Sequence, residues 1–198
     1  MHIFRYGANK DLIFRRVYLT IALKKLVTVL RQCDNRSGKT SFIIVDAQSV
    51  KNADTASLKG YDAGKKVSGI KRHIAVDSNG LPHAILITTA NVTDRDGALQ
   101  MFLMYKDNLS DVTNTMVDGG YRGDKFANNV KHILGCTVEV AKRSELNKFE
   151  VIPKRWVVER SFAWLDKCRR LWKNCEKYLE TSKQMVVLAF LTIVLKRL

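Results

Sequence analysis

The stretch Ser41–Ala47, SFIIVDA, sets the fold class. Four consecutive apolar residues, Phe42-Ile43-Ile44-Val45, form a β-branched run too short for a helix and suited to a buried strand. The run ends on an acid, Asp46, and charged side chains are rarely buried without a partner or a metal. Working outward, a Gly- and Lys-rich loop from Gly60 to Gly69 leads into two further predicted strands, Lys71–Val76 and Pro82–Thr88. Asp77-Ser78-Asn79-Gly80 between them is turn chemistry, so the two form a hairpin.

From Asp94 the apolar period changes. Asp94 or Asp96 caps a predicted helix with Leu99, Phe102 and Leu103 on its apolar positions, and Met101, Phe102 and Met104 read as core. Thr113–Val117 is a fourth strand, stopped by Asp118-Gly119-Gly120; a helix over 124–134 closes on Gly135, and Thr137–Ala141 is a fifth strand. A long helix is expected from Pro153 or Lys154, with an apolar stripe running through Val157, Phe162 and Leu165 to Trp172. A last helix opens at Thr181 or Ser182. This order predicts an α/β fold, a mixed five-stranded sheet flanked by helices, with antiparallel hairpins first and parallel crossovers afterwards. Upstream, residues 12–32 alternate apolar and basic positions in a helical manner (Leu19, Leu23, Leu26, Leu30), and 35–39 is a candidate linker. Two units are expected: a basic helical segment over 1–40 and a catalytic domain over 41–198.

Composition narrows the function. The 198 residues carry 34 Lys and Arg against 19 Asp and Glu, a formal charge of +15 that favours a polyanionic partner. The charge is blocked: residues 1–40 hold a net +7, 41–75 a net +3, 76–140 a net −3 and 141–198 a net +8. Basic flanks around an acidic middle suit a protein that grips nucleic acid around a carboxylate cluster. The longest apolar run, Met185 to Leu195, is much shorter than the ~20 residues of a membrane span, so no membrane role is expected. Cys33, Cys136, Cys168 and Cys175 show neither C-x-x-C nor zinc-site spacing and read as reduced thiols.

Three acids then form a constellation. Asp46 and Asp118 each end a strand, where ligands gather in open α/β sheets. Glu159 lies at the edge of the apolar stripe of the long helix, four residues after Arg155. Oxygen ligands of this kind suit hard cations such as Mg²⁺. Two such ions about 3.5–4 Å apart clamp the attacking and leaving oxygens of an in-line phosphoryl displacement. Around the acids stand candidate DNA contacts: Lys65, Lys66, Lys71 and Arg72 in the Gly-rich segment, and Arg160, Arg169 and Arg170 among the aromatic residues of the long helix. His73, alone in a strand, reads as structural.

Three stretches carry a family resemblance: IIVDAQSVK (43–51) with its continuation over 60–98, VDGGYRGDKF (117–126) and RWVVERSFAWLDKCRRLWKNCE (155–176). In this order they resemble bacterial insertion-sequence transposases that use an Asp-Asp-Glu site on a ribonuclease H-like fold. The resemblance implies Asp46, Asp118 and Glu159 as catalytic and metal-binding residues, two Mg²⁺ or Mn²⁺ ions, and metal-dependent cleavage and strand transfer of DNA without a protein nucleophile. It adds Arg155 as a motif arginine near phosphate, with Arg122 also on the DNA-binding side. The partners implied are double-stranded DNA, at transposon ends and target, and a second copy of the chain on that DNA; the implied location is the bacterial cytoplasm at the nucleoid. Ile152 and Asp166 depart from the family pattern, which has a tyrosine and a lysine there. About forty residues precede the first strand, fewer than a complete recognition domain, so residues 1–40 are expected to be the remnant of a DNA-binding region. The alternatives that follow are a transposition-incompetent DNA-binding remnant and a related metal-dependent nuclease.

Overall fold

The computed structural model describes residues 4–141 and 155–198, with side chains from residue 18 in the first stretch and from residue 156 in the second. In chain order the elements are α1 (Phe4–Cys33), β1 (Phe42–Lys51), β2 (Gly60–Asp62), β3 (Val67–Val76), β4 (Pro82–Thr89), α2 (Asp94–Met104), β5 (Asn114–Val117), α3 (Asp124–Leu134), β6 (Thr137–Val140), α4 (Arg155–Asp166) and α5 (Leu179–Leu195). The sheet runs β2-β3-β1-β5-β6, with β4 also on the outer edge of β3. Pairing is antiparallel for β1–β3, β2–β3 and β3–β4, and parallel for β1–β5 and β5–β6. The architecture is therefore the expected mixed α/β sheet with hairpins first. The addition is β2, a three-residue strand whose GYD sequence has no apolar alternation to announce it.

Both faces of the sheet are covered, as the unbroken apolar run in β1 requires. Ile44, Val50, Ile74, Ile85 and Met116 pack against α1, α4 and α5 through Leu23, Val27, Val157, Phe162, Leu165 and Phe190. Ile43, Val45, Ala75 and Val117 pack on the other side against α2 and α3 through Ala98, Met101, Phe102, Phe126 and Val130. The C-terminal half of α1 thus belongs to the same core as the sheet: Leu23, Val27 and Leu30 are buried at helical spacing.

Several local expectations change. The N-cap of α2 is Thr93, whose side chain accepts from the Asp96 N–H, so Asp94 is the first helical residue. Leu103 and Met104, at the end of that helix, are 61% and 62% exposed rather than core. The long helix stops at Asp166 and a 3-10 turn follows over Arg169–Leu171. The 100° period therefore fails beyond Leu165, and Trp172, expected in the buried stripe, is 73% exposed. Its expected start at Pro153 or Lys154 lies outside the described residues, and the last helix begins at Leu179, slightly earlier than expected.

Gly97 fixes how closely α2 approaches the sheet. A Cβ at Gly97 would lie 2.0 Å from the His73 ring, which is fully buried and shares a 3.0 Å hydrogen bond with Thr88. Burial pushes the His73 imidazole down to about 4, so the ring is neutral at pH 7. In an open helix, alanine would be favoured over glycine by about 1 kcal/mol. Here overpacking against a rigid ring decides the sign, and Gly97→Ala is expected to cost about 1–3 kcal/mol. A urea titration reads this directly; an unchanged or raised midpoint would mean that α2 and β3 separate freely.

Candidate active site

The register of β1 and β5 brings the two aspartates together. Ile44 pairs with Met116 in the parallel ladder. Two residues further along stand Asp46, inside β1, and Asp118, just past the end of β5. Asp46 shares the face of Ile44, the face covered by α4. Its Oδ1 accepts from the Ala47 N–H at 2.7 Å. Asp118 lies just past the end of β5 and caps the short turn Gly119–Tyr121, its Oδ1 accepting from the Gly120 N–H at 2.8 Å. Both carboxylates are half-buried.

Tyr121 packs near these acids in the core on the α2–α3 face. It is 1% exposed, its ring lies 5.4 Å from that of Phe126, and its hydroxyl has no hydrogen-bond partner among the described residues. Burial, and then the negative charges of Asp46, Asp94 and Asp118, push its phenol well above the usual value of 10. The phenol therefore keeps its proton.

Glu159 projects from α4 on the solvent side, exposed, while Val157, Val158, Ser161, Phe162 and Leu165 turn inward. Among the described residues, no three His, Cys, Asp or Glu side chains gather closely enough to hold a metal together. The β1–β5 register sets Asp46 and Asp118 toward the same end of neighbouring strands, while Glu159 comes from the helix that covers that face. Two adjacent carboxylates still fit a hard cation, which takes one or two from protein and fills its shell with water and phosphate oxygens.

The helix that carries Glu159 is tied to the sheet through Gln48, which the sequence did not single out, and through Arg72. Gln48, two residues beyond Asp46 and on its face, donates through Nε2 to both oxygens of Asp166 at 3.1 and 3.0 Å. Arg72 lies beneath, donating to Gln48 Oε1 at 3.2 Å and to the Leu171 carbonyl at 2.5 Å. The departure from the family pattern at Asp166 is thus met by a local partner set. Period-two spacing from Asp46 to Gln48 was the only signal available.

The candidate DNA contacts divide sharply. Arg72 is 1% exposed, and burial brings its guanidinium down to about 10, with Asp166 opposing the shift. Lys71 is 4% exposed, held between Asp94 Oδ1 at 2.8 Å and Asp62 Oδ2 at 3.2 Å. The expectation that these two reach DNA is corrected: β3 is covered on both faces, so its alternating side chains point into protein whichever way they turn. Burial raises the Asp62 carboxyl, but hydrogen bonds from Ser49, the Lys65 N–H and Lys71 outweigh it and hold the group at about 2.

Lys65, by contrast, is accessible. Its Nζ donates to the Ala47 carbonyl at 2.9 Å, beside Asp46, and lies 3.6 Å from Asp94. Lys66, Arg122, Arg169 and Arg170 are exposed, with Arg170 paired to Glu176 at 2.8 Å. Arg160 is half-buried against two tryptophans, and the Arg155 side chain lies outside the described residues. Lys65, Asp94, Arg95, Arg122, Lys125 and Asn129 line a cleft of about 920 Å³ that opens beside Gly120. Its rim is largely basic. No helix among the described residues is long and apolar enough to cross a membrane.

Over 114 residues the chain is 31% identical to the protein assigned as transposase of insertion sequence element IS402 from Burkholderia cepacia, covering 52% of each. A similar solved structure is the cryoEM structure of the simian T-cell lymphotropic virus intasome in complex with PP2A regulatory subunit B56 gamma. It matches with a TM-score of 0.52 at 14% identity, over 78% of this chain and 48% of that one. That likeness shows the fold alone, and the chain spans about half the length of each relative. The family model described as Transposase DDE domain matches residues 37–195, which take in both strand-end aspartates and Glu159. The chain belongs to the transposase DDE domain family.

Proposed function

We propose that this protein cuts and joins DNA strands at the ends of an insertion sequence by metal-dependent phosphoryl transfer. The observation that supports the reading is the parallel register of β1 and β5, which directs Asp46 and Asp118 toward the same end of the sheet. In this reading water forms a bond to phosphorus as the P–O3′ bond breaks, leaving a free 3′-hydroxyl and a 5′-phosphate. The 3′-hydroxyl then attacks a target phosphodiester, whose own 3′-oxygen leaves. Two Mg²⁺ or Mn²⁺ ions, when bound, lower the pKa of the attacking oxygen and neutralise charge on the leaving one. Asp46 and Asp118 would hold them, with Glu159 from α4 as the third carboxylate of the set.

The chain's own cations do the positioning. Lys65, at the carbonyl next to Asp46, neutralises a phosphate oxygen near the reacting centre. Arg122, Arg169 and Arg170 hold the backbone further out, and Arg155 is assigned to the same role. Paired DNA ends require paired active sites, so the active form is proposed to be a homodimer on DNA.

One observation favours a second reading, a DNA-binding protein without transposition: no three His, Cys, Asp or Glu side chains close on a metal-holding group among the described residues. A labelled transposon-end duplex incubated with Mg²⁺ or Mn²⁺ separates the two. Nicked and joined products are expected. Nicks without joining would identify a nuclease, and salt-sensitive binding with neither product would identify the binding-only protein.

A further inference from the structure

The α4 helix is held to the sheet at two levels. At mid-length, Ser161 Oγ donates to the Gly80 carbonyl and Arg160 to the Asn79 carbonyl, both at 3.1 Å, in the turn that follows β3. Gly80 permits this approach, since a Cβ there would lie 2.7 Å from Ser161 Oγ. At the helix end, Asp166 receives Gln48 Nε2 on both carboxylate oxygens. Across the β1–β3 ladder Gln48 pairs with Arg72, Asp46 with Ile74 and Ile44 with Val76. Along β3, Ile74 lies between Arg72 and that turn, so the level of Asp46 falls between the two holds.

The apolar contacts of α4 do not fix its roll. Val157, Phe162 and Leu165 pack on the sheet, and such burial is non-directional. The contact at Asp166 is directional. Asp166 follows Glu159 by seven residues, about 20° short of two full turns, so both carboxylates leave α4 on the same side. A roll that takes Asp166 off Gln48 turns Glu159 away by the same angle. Gln48 is itself fixed, because its Oε1 accepts from Arg72 at 3.2 Å. The other arm of that guanidinium donates to the Leu171 carbonyl, just past the helix. Arg72 is 1% exposed and also lies 4.0 Å from Asp166. One buried cation thus holds the strand amide and the chain after α4 in a single frame.

We propose that Gln48 is a positioning residue that clamps the roll of α4 through Asp166, so that Glu159 faces the strand end carrying Asp46 and Asp118. The inference deepens the proposed function and rests on it for the role of Glu159. Gln48 touches no reacting atom. It stands two residues from Asp46 on the same face of β1, so the strand that carries one acid also aims another.

The test uses the full chain and two substitutions that exchange donor and acceptor. Gln48→Glu keeps an acceptor for Arg72 but removes the N–H groups and sets a second carboxylate against Asp166. Adding Asp166→Asn supplies an N–H from the helix, with the carboxylate now on the strand beside Arg72. Gln48→Glu is expected to lower both the cleavage rate at saturating transposon-end duplex and the Mn²⁺ affinity by about 10- to 100-fold. Affinity for the duplex should change less than about twofold, as expected of a group that makes no DNA contact. Amide exchange across residues 155–166, followed by mass spectrometry without metal, should quicken. The double variant should bring rate, Mn²⁺ affinity and exchange back to within about threefold of wild type, the coupling expected of groups in direct contact. A general loss of stability would not be repaired by exchanging the two groups. No recovery in the double variant, duplex affinity that falls with the rate, or unchanged exchange in Gln48→Glu would each overturn the clamp. Wild type that binds Mn²⁺ but cleaves nothing would sink the proposed function alone, since Mn²⁺ affinity and exchange still decide the clamp; wild type that binds no Mn²⁺ overturns both.

Discussion

Asp46→Asn is expected to lower strand cleavage by at least about a hundredfold while leaving DNA affinity within about twofold at matched salt. The lower bound is what losing a single preorganised charge contact costs a developing transition state. Asparagine keeps the size of the side chain, and its carbonyl oxygen can still accept from the Ala47 N–H that now donates to Oδ1 at 2.7 Å. What disappears is the charge that a hard cation needs. Asp118→Asn repeats the logic, retaining the Gly120 N–H contact at 2.8 Å. The double substitution should be no slower than either single one, because groups that act as a unit do not add.

Asp94→Asn is the informative contrast, since Asp94 is the other acid near Tyr121. It removes a partner of the buried Lys71 ammonium, so its main cost falls on stability. Gel-based cleavage, filter binding and melting, run on all four variants, give each acid its own signature. Cleavage that persists in Asp46→Asn would sink the assignment of the aspartate pair.

The parts of this fold legible in the sequence were those with a local cause. SFIIVDA reads as a strand because four apolar residues precede an acid, and Asp77 to Gly80 reads as a turn because Gly80 takes φ 78° and Asp77 receives its N–H. Adjacency of Asp46 and Asp118 is a different matter. It depends on the parallel register of β1 and β5, which no local pattern encodes. Lys71 and Arg72 show the same limit from the other side. A basic residue in a strand reads as solvated unless one knows that both faces of the sheet are covered. The buried cations were matched by Asp62, Asp94 and Asp166, partners distant in sequence. Trp172 departs for a third reason: a helical period continued past Asp166 puts it in the buried stripe, whereas the backbone tightens into a 3-10 turn over Arg169–Leu171.

The expectation of a basic helical segment upstream of a catalytic domain leads to the largest predicted change in stability, at Asp77. This carboxylate is fully buried in the β3–β4 turn and is ion-paired to the buried Arg31 of α1. Arg36 at 3.3 Å and His83 at 3.6 Å approach the same oxygen, and the Asn79 and Leu81 N–H groups donate to the other at 2.9 and 3.0 Å. Burial raises its pKa, but His83 and the two N–H donors more than compensate, holding it at about 2 against 3.8. Asp77→Ala strands Arg31 in the core without its counter-ion, which costs about 3–5 kcal/mol. In a chain of this size that lowers the melting temperature by about 10 °C. The contribution also has a pH signature. Because the folded pKa is depressed, the stabilisation is present above about 3.8 and is lost as the pH falls through about 2. Urea midpoints of wild type and Asp77→Ala should therefore converge as the pH is lowered through that window and stay apart above it. If instead the variant melts within about 2 °C of wild type at pH 7, Asp77 does not clamp α1 to the sheet, and residues upstream of β1 behave as an appendage after all.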